Sequence, residues 1–332
     1  MTAGFDLQAL ARQIRDARGL AHKRDIDAVV TRLGLNARNA RVPVGDDCAA
    51  IPDGDGHLLL AIEGFLDSFV AADPYFAGYC GIMVNLSDVA AMGGRPLAVV
   101  DALWSRDDAA ADPVLAGLAD AAALYGVPIV GGHTNTRAGA GNLAVAMLGR
   151  AGPRLLTSFD AAPGDDLVAA IDLRGRFREP HPYWDASTGS PGERLRGDLE
   201  VLPALAEAGL ARAAKDISMA GVVGTALMLL ECSQVGGVID LDAIPRPEGV
   251  PLPRWLPAFP SFGFLLSVRP DGTPAVLARF AERGVAAAKI GTLDTSRVAR
   301  VRDAAGEQAV VWDFWASPLI GCGRDEDGGI AP

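Results

Sequence analysis

The longest helical pattern of the chain lies in residues 72–96, ADPYFAGYCGIMVNLSDVAAMGGRP. Apolar residues recur there at the three- and four-residue spacing of a buried helix face. Asp73 followed by Pro74 predicts an N-cap and a first helical residue, and the glycines at 93–94 predict the end of the helix. The pattern therefore predicts a largely apolar helix that carries one carboxylate, Asp88, among small residues.

Strand and helix patterns alternate along the rest of the chain. Two short amphipathic helices are predicted in residues 5–35, and a Gly-Asp-Asp turn at 45–47 follows a short strand. Residues 174–192, rich in Arg, Pro and Gly, are predicted as a long loop. The other predicted strands are 58–62, 97–104, 127–130, 142–150, 167–173, 236–241, 262–268, 286–291 and 308–312, and the other predicted helices are 112–125, 194–209, 217–231 and 274–283. This alternation predicts an α/β (α+β) fold.

Length and composition favour two domains with large cores. The chain has 332 residues, of which 50% are hydrophobic. The loop at 151–165 predicts a boundary between an N-terminal domain at 1–152 and a C-terminal domain at 160–332. A net charge of −11 argues against a nucleic-acid partner. Because no apolar run is long enough for a bilayer and no secretory signal is found, we expect a cytoplasmic protein with no membrane partner.

Acidic residues at predicted turns and helix faces are the strongest chemical signal that the residues give by themselves. They are Asp46, Asp47, Asp88 and Asp216. Several carboxylates brought together need cations, and Mg²⁺ prefers hard oxygen ligands of this kind. The alternative is that each Asp is a separate turn or capping residue. The sequence contains neither the P-loop motif nor the HExxH zinc motif.

Four motifs follow one another at domain-scale spacing. They are GDDCAA at 45–50, VNLSDVAAMGGRP at 84–96, VGGHTN at 130–135 and KDIS at 215–218. Together they resemble the superfamily of aminoimidazole ribonucleotide (AIR) synthetase, thiamine-monophosphate kinase, selenophosphate synthetase and the hydrogenase-maturation carbamoyl dehydratase. The resemblance covers nearly the whole chain, and the run at 84–96 is especially similar to thiamine-monophosphate kinase.

The resemblance implies a two-domain AIR-synthetase-like fold and a homodimer. The N-terminal domains would pair their strands into a shared, dimeric β-barrel, and the C-terminal domain would be an α/β sandwich. The cofactors would be ATP and Mg²⁺, bound in a cleft under the Gly-Asp-Asp turn, the helix of 84–96 and a Gly-Gly-His turn at 131–133. The implied activity is phosphoryl transfer to a small-molecule acceptor, or activation of that acceptor by phosphorylation.

The resemblance also assigns metal ligands by position. Asp47, Asp88 and Asp216 would coordinate Mg²⁺ through their carboxylate oxygens. Asp46, beside Asp47 in the acidic turn, is a further candidate. Glu63 is another, because it is the only carboxylate near the place where kinases of this superfamily carry a Thr-Asp segment.

Nucleotide contacts and catalytic roles follow from the same resemblance. Asn85 would lie near the phosphates, Gly131 and Gly132 would let the backbone approach the nucleotide, and Ser218 would begin a helix whose N–H groups receive phosphate. The candidate catalytic residues are His133, as a general base or phosphate contact, and Lys23, as a contact of the γ-phosphate. The alternatives are a hydrogen-bonded turn histidine and an ordinary exposed lysine.

Besides the segment around Glu63, the chain departs from the kinase pattern of the superfamily at two motif positions. His133 replaces the Asp of Gly-Gly-Asp-Thr, and Met219 replaces the second Asp of Asp-Ile-Ser-Asp-Gly. Fewer oxygen ligands argue against thiamine-phosphate phosphorylation, and the lack of a cysteine before Cys48 argues against selenophosphate chemistry. Two alternatives stay open: an ATP-dependent ring-closing ligase like AIR synthetase, and a nucleotide-binding scaffold without catalytic activity.

Overall fold

The structure, a computed structural model, describes residues 6–33, 35 and 42–322. The helices are α1 (Leu7–Arg15), α2 (Arg18–Lys23), α3 (Asp25–Leu33), α4 (Asp67–Ala72), α5 (Pro74–Ala91), α6 (Asp108–Tyr125), α7 (Gly192–Leu199), α8 (Val201–Ala208), α9 (Gly221–Cys232), α10 (Leu252–Trp255) and α11 (Thr273–Ala281). The strands are β1 (Ala49–Asp53), β2 (Gly56–Phe65), β3 (Arg95–Trp104), β4 (Ile129–Asn135), β5 (Asn142–Ala151), β6 (Asp166–Ile171), β7 (Arg176–Phe177), β8 (Tyr183–Asp185), β9 (Ala213–Asp216), β10 (Gly236–Asp240), β11 (Phe259–Pro260), β12 (Gly263–Val268), β13 (Ala286–Asp294), β14 (Val298–Arg302) and β15 (Gln308–Asp313). None of these described helices is long and apolar enough to span a membrane.

The chain forms two compact units, and each unit is built from segments that are separated in sequence. Both units mix helices with strands, as the sequence predicts. Their boundaries differ from the two contiguous domains predicted from the loop near residue 155. The five-stranded unit consists of residues 47–155 and 189–207, and the seven-stranded unit consists of the described residues of 1–46, 156–188 and 208–332.

Side-chain contacts explain why segments join units away from their sequence neighbours. Helix α1 belongs to the seven-stranded unit, where Arg15 donates a hydrogen bond of 2.8 Å to the backbone oxygen of Val310 in β15. Helices α7 and α8 belong to the five-stranded unit, where Arg95 at the start of β3 forms ion pairs with Glu200 and Glu207. These hydrogen-bonded pairs raise the pKa of the Arg95 guanidinium.

The five-stranded sheet has the strand order β1-β2-β5-β3-β4. Neighbours from β1 to β3 pair antiparallel, and β4 pairs parallel with β3. Helix α5 packs on β2, β3 and β5 and covers one face of the sheet. Because β1 and β4 do not pair with each other, the described strands of one chain leave the sheet open rather than closing the barrel that the resemblance implies.

Helix α5 confirms the apolar helix predicted from the hydrophobic pattern. It begins at Pro74 after Asp73, whose carboxylate accepts a hydrogen bond of 3.3 Å from the N–H of Phe76. Nearly all of its residues are buried. It lies unusually close to α6, because a Cβ atom at Gly78 would stand 2.0 Å from the backbone oxygen of Val114. Glycine is therefore required at this helix crossing.

Two predicted boundaries in the five-stranded unit are wrong. Helix α6 begins one turn before the predicted start at residue 112, because the Asp107 carboxylate caps the helix by accepting from the N–H of Ala110 at 2.8 Å. The predicted turn at 131–133 is instead the middle of strand β4, which pairs with β3 along its whole length. Glycines in this strand resemble a turn signal, but the pairing with β3 decides the conformation.

The seven-stranded sheet has the order β15-β14-β10-β13-β6-β12-β9. Its central strands β6 and β12 are buried along their whole lengths, which is typical of strands with both faces covered. The predicted loop at 174–192 contains β7 and β8, which form a small sheet with β11. Phe177, Trp184 and Trp255 pack edge-to-face beside this small sheet. Trp184 is therefore a core residue, although it lies within the predicted loop.

Candidate functional site

Asp47 and Asp88 form a pair of carboxylates in the five-stranded unit. Asp47 lies just before β1, and Asp88 lies in the last turn of α5. A carboxylate oxygen of Asp47 lies within 4.8 Å of one of Asp88. Asp88 is buried and Asp47 is half-buried. Two like charges at this distance favour a bound cation, and Mg²⁺ fits a set of hard carboxylate oxygens.

The two further carboxylates predicted near this pair have different surroundings. Asp46 belongs to the seven-stranded unit, where its carboxylate accepts hydrogen bonds from the N–H and the hydroxyl of Ser158 at 2.7 and 2.6 Å. Asp46 therefore holds the acidic turn in place. Glu63 is half-buried on β2, in register with Val145 of β5. Both residues stay predictions as metal ligands.

Asp216 and Ser218 lie in the seven-stranded unit, where β9 ends. Asp216 is the last residue of β9 and is buried. Helix α9 begins at Gly221, so Ser218 precedes the helix, and its N–H donates to the Thr225 hydroxyl at 3.3 Å. The Ser218 hydroxyl is buried and has no hydrogen-bond partner among the residues that the structure describes. This buried hydroxyl is a polar group that still lacks a partner, and the binding of phosphate by the N–H groups of the following helix stays a prediction.

Lys23 is the last residue of α2, which packs against the segment that follows β9. A Cβ atom at Gly19 would stand 2.1 Å from the backbone oxygen of Met219, so the two segments are in direct contact. Lys23 follows Gly19 by one helical turn and shares its face of α2. Helix α2 thus lies against the segment that carries Ser218, and the contact of Lys23 with the γ-phosphate stays a prediction.

Asn85 joins α5 to the five-stranded sheet. Its side chain is fully buried, and its Nδ2 atom donates hydrogen bonds to the backbone oxygens of Gly81 at 2.8 Å and Val145 at 3.1 Å. Its Oδ1 atom has no hydrogen-bond partner within the described part of the chain. Asp88 follows Asn85 by about one turn of α5. By fixing α5 to β5, Asn85 therefore helps to fix the position of the Asp88 carboxylate.

We expect Asn85→Ala to lower the free energy of unfolding by about 2 kcal/mol, because it removes a fully buried side chain together with its hydrogen bonds to the backbone oxygens of Gly81 and Val145. Urea denaturation followed by circular dichroism measures this loss. The control is Asn142→Ala at the exposed start of β5, for which we expect a change within about 0.5 kcal/mol. Equal stability of the two variants would contradict the linking role of Asn85.

His133 lies on the edge strand β4, of which every residue is exposed. It is in register with Ala102 of β3, and its ring centroid is 5.8 Å from that of Trp104. The group of metal-capable side chains around Asp47 and Asp88 does not include it. The described residues of a single chain therefore do not bring His133 to the carboxylate pair.

Asp101 is a notable residue of this region that the sequence motifs miss. It lies on β3 in register with Gly132, and a Cβ atom at Gly132 would stand 2.4 Å from the Asp101 carboxylate. Burial raises the pKa of Asp101. A Cβ atom at Gly131, by contrast, would meet nothing within 4 Å, so β4 has open space beside that residue. The available signal for Asp101 is a single carboxylate in the otherwise apolar strand pattern at 97–104.

Two family models match the segments that carry these residues. The model of the N-terminal domain of AIR synthase related proteins matches residues 45–151, and the model of the C-terminal domain matches residues 187–303. The chain belongs to the AIR synthase related family. This membership confirms the resemblance inferred from the four sequence motifs.

Members of the AIR synthase related family match this chain over most of its length. An uncharacterized protein of Synechocystis is 46% identical, covering 95% of this chain and 98% of its own. An uncharacterized protein of Methanocaldococcus jannaschii is 34% identical, covering 96% of this chain and 100% of its own. The thiamine-monophosphate kinase of Synechococcus elongatus is 28% identical, covering 78% of this chain and 86% of its own.

Solved structures share the AIR synthase related fold. Thermotoga maritima PurL complexed with ATP has a TM-score of 0.70 at 22% identity, covering 82% of this chain and 46% of the PurL chain. AaThiL complexed with AMPPCP and TMP has a TM-score of 0.63 at 20% identity, covering 86% of this chain and 96% of the AaThiL chain. At these identities the likeness concerns the fold alone.

Proposed function

We propose that this AIR synthase related protein is an Mg²⁺- and ATP-dependent enzyme that phosphorylates an oxygen of a small-molecule acceptor. The phosphorylated acceptor is either the final product or an activated intermediate. The observation that carries the proposal is the pair formed by Asp47 and buried Asp88. The kinase among the relatives and the ATP-complexed structure of the same fold support it.

The residues present fit the proposed ion and nucleotide. Asp47 and Asp88 would hold Mg²⁺, and Asp216 stays a predicted third ligand. The ion would supply charge neutralisation to the phosphates, which is the main demand of phosphoryl transfer. The buried Ser218 hydroxyl is a candidate phosphate donor because it has no partner among the described residues.

Calorimetric titration of the purified chain with AMPPCP, with and without Mg²⁺, tests the nucleotide site. We expect binding that requires Mg²⁺. Acceptor screening for phosphate release then separates the proposed enzyme from the nucleotide-binding scaffold, which would bind AMPPCP without turning over ATP for any acceptor. A cyclised product in place of a phosphate ester would favour the ring-closing ligase. Absence of nucleotide binding with every metal ion tried would overturn the proposal.

Lys23 is proposed to contact the terminal phosphate from α2. We expect Lys23→Met to lower the ATP turnover rate by roughly tenfold to a hundredfold, because it removes a positive charge that stabilises the transferred group. Steady-state kinetics with ATP and the identified acceptor measure the effect. Arg18→Met, which removes a positive charge from the first residue of the same helix, is the matched control. An equal rate loss in both variants would mean that Lys23 acts only through the overall positive charge of α2 and does not contact the phosphate.

We also propose that a second copy of the chain covers the outer face of the five-stranded sheet. Ile62 is 70% exposed on this face. In the strand register it lies beside Ala146, which in turn lies beside exposed Val100. A row of apolar side chains across neighbouring strands is a common site of protein association. The open sheet gives such a partner unpaired strand edges at β1 and β4.

A further inference from the structure

A cavity of about 330 Å³ lies within the seven-stranded unit, beside the end of α9. Residues from α3, from α9 and from the segments that flank β14 and β15 line it. None of the residues proposed to bind the metal ion or the nucleotide lines this cavity. Its volume is at the lower end of the range for small-molecule sites.

One side of the cavity carries two carboxylates. Glu231 is buried, and its oxygens accept hydrogen bonds from the N–H groups of Leu319, Ile320 and Gly321 at 2.7, 2.8 and 3.3 Å. Burial raises the pKa of Glu231, and the nearby charge of Asp27 raises it further. Asp27 has no ion pair with any residue that the structure describes. A positively charged ligand group would neutralise this side.

The opposite charge in the cavity lining is Arg297. Its guanidinium carbon lies 4.3 Å from the ring centroid of Trp315, which holds the side chain by a cation–π contact. Its backbone oxygen accepts a hydrogen bond of 3.0 Å from the N–H of Phe314. A guanidinium held in this way is suited to a carboxylate. The remaining wall is largely apolar and is formed by Leu230, Val235, Phe314 and Pro318.

The backbone around the cavity has a left-handed conformation at two residues. Gln234 has a φ of 57° and Arg297 has a φ of 53°, in the left-handed region that non-glycine residues seldom adopt. Both residues line the cavity. Gln234 ends helix α9 in this conformation, and the N–H of Val235 then donates a hydrogen bond of 3.0 Å to the backbone oxygen of Leu230. These turns fix the backbone from which the side chains of Gln234 and Arg297 line the cavity.

We propose that this cavity binds a small zwitterion of the amino-acid type. Its ammonium group would bind at Asp27 and Glu231, its carboxylate at Arg297, and an apolar side chain would lie against Phe314. Because one cavity of this size contains both signs of charge and an apolar wall, it favours a zwitterion with an apolar side chain over a simple cation or anion.

Titration of the nucleotide-free full chain with L-leucine, L-methionine and L-phenylalanine tests the site by calorimetry and by thermal shift. We expect at least one of these amino acids to bind and to raise the Tm. N-acetyl-L-leucine lacks the ammonium group and isopentylamine lacks the carboxylate. We expect each of them to bind about tenfold more weakly or worse than L-leucine, because a charged hydrogen bond is lost. No binding of any amino acid, or equal binding of the singly charged analogues, would overturn the proposal.

Paired variants locate the binding in this cavity. Asp27→Asn and Arg297→Gln are each expected to weaken amino-acid binding by about tenfold or more. Asp25→Asn changes an exposed carboxylate in the first turn of the same helix, and Arg246→Gln changes an exposed arginine outside the cavity lining. We expect both controls to bind as the wild type does. Unchanged binding in both cavity variants would place any observed amino-acid binding elsewhere. Since no nucleotide is present, the result is independent of the proposed ATP site.

Discussion

Asp88→Asn is expected to lower the Mg²⁺-dependent affinity for AMPPCP by roughly a hundredfold or more, because a coordinated metal ion contributes several kcal/mol of charge stabilisation. The same substitution removes one of two like charges whose oxygens lie within 4.8 Å. Without Mg²⁺, the Tm of the variant is therefore expected to equal or exceed that of the wild type. Opposite changes in binding and in stability are the signature of a metal ligand rather than of a structural carboxylate.

Calorimetry and thermal unfolding of the same preparations measure both effects. Asp112→Asn, which removes an exposed carboxylate from α6 in the same unit, is the matched control and is expected to change neither quantity appreciably. A lower Tm for Asp88→Asn in the absence of Mg²⁺, together with normal nucleotide binding, would show that Asp88 holds the fold together. The assignment of the carboxylate pair to a metal ion would then be wrong.

The sequence predicts those parts of the five-stranded unit whose causes are local. Helix α5 is an example, because its cap at Asp73, its proline at the first helical position and its apolar spacing all lie within one segment. The acidic turn and Asp88 could also be named from sequence. Their pairing could not be derived from spacing, because Asp47 and Asp88 are 41 residues apart. The resemblance supplied that step, and the distance between their oxygens now supports it.

The features that the sequence patterns misjudge depend on distant partners. The glycines near His133 read as a turn, but hydrogen bonding to β3 makes them part of a strand. Asn85 stays a predicted neighbour of the phosphates, and the hydrogen bonds from its amide nitrogen to the backbone oxygens of Gly81 and Val145 are contacts that no local pattern indicates. Arg95 forms ion pairs with Glu200 and Glu207, which lie more than a hundred positions later in the chain, and these pairs link β3 to the segment of α7 and α8. Such pairings have no local pattern by which they could be recognised.

Ile62→Lys is expected to convert a homodimer into a monomer. Ile62 is the most exposed residue of the apolar row and lies at its β2 end, and its neighbours in sequence, Ala61 and Glu63, point to the opposite side of the sheet. A lysine there would lose its hydration in the dimer without a compensating acidic residue in the adjacent row of Ala146 and Val100. We therefore expect the dimer dissociation constant to rise by about a hundredfold or more. Light scattering after size-exclusion chromatography, over a range of protein concentrations, measures the change.

Leu115→Lys provides the matched control, because it places the same charge at an exposed apolar residue of α6 that is remote from the sheet's outer face. We expect this variant to remain a dimer. A wild-type chain that is monomeric at every concentration would contradict the proposed second copy, and a dimeric Ile62→Lys variant would move the interface to another surface.

Monomeric Ile62→Lys that still binds AMPPCP with Mg²⁺ would further show that the carboxylate pair, on the side of α5, works without the second copy. Loss of binding in the folded monomer would instead mean that the second copy contributes to the nucleotide site.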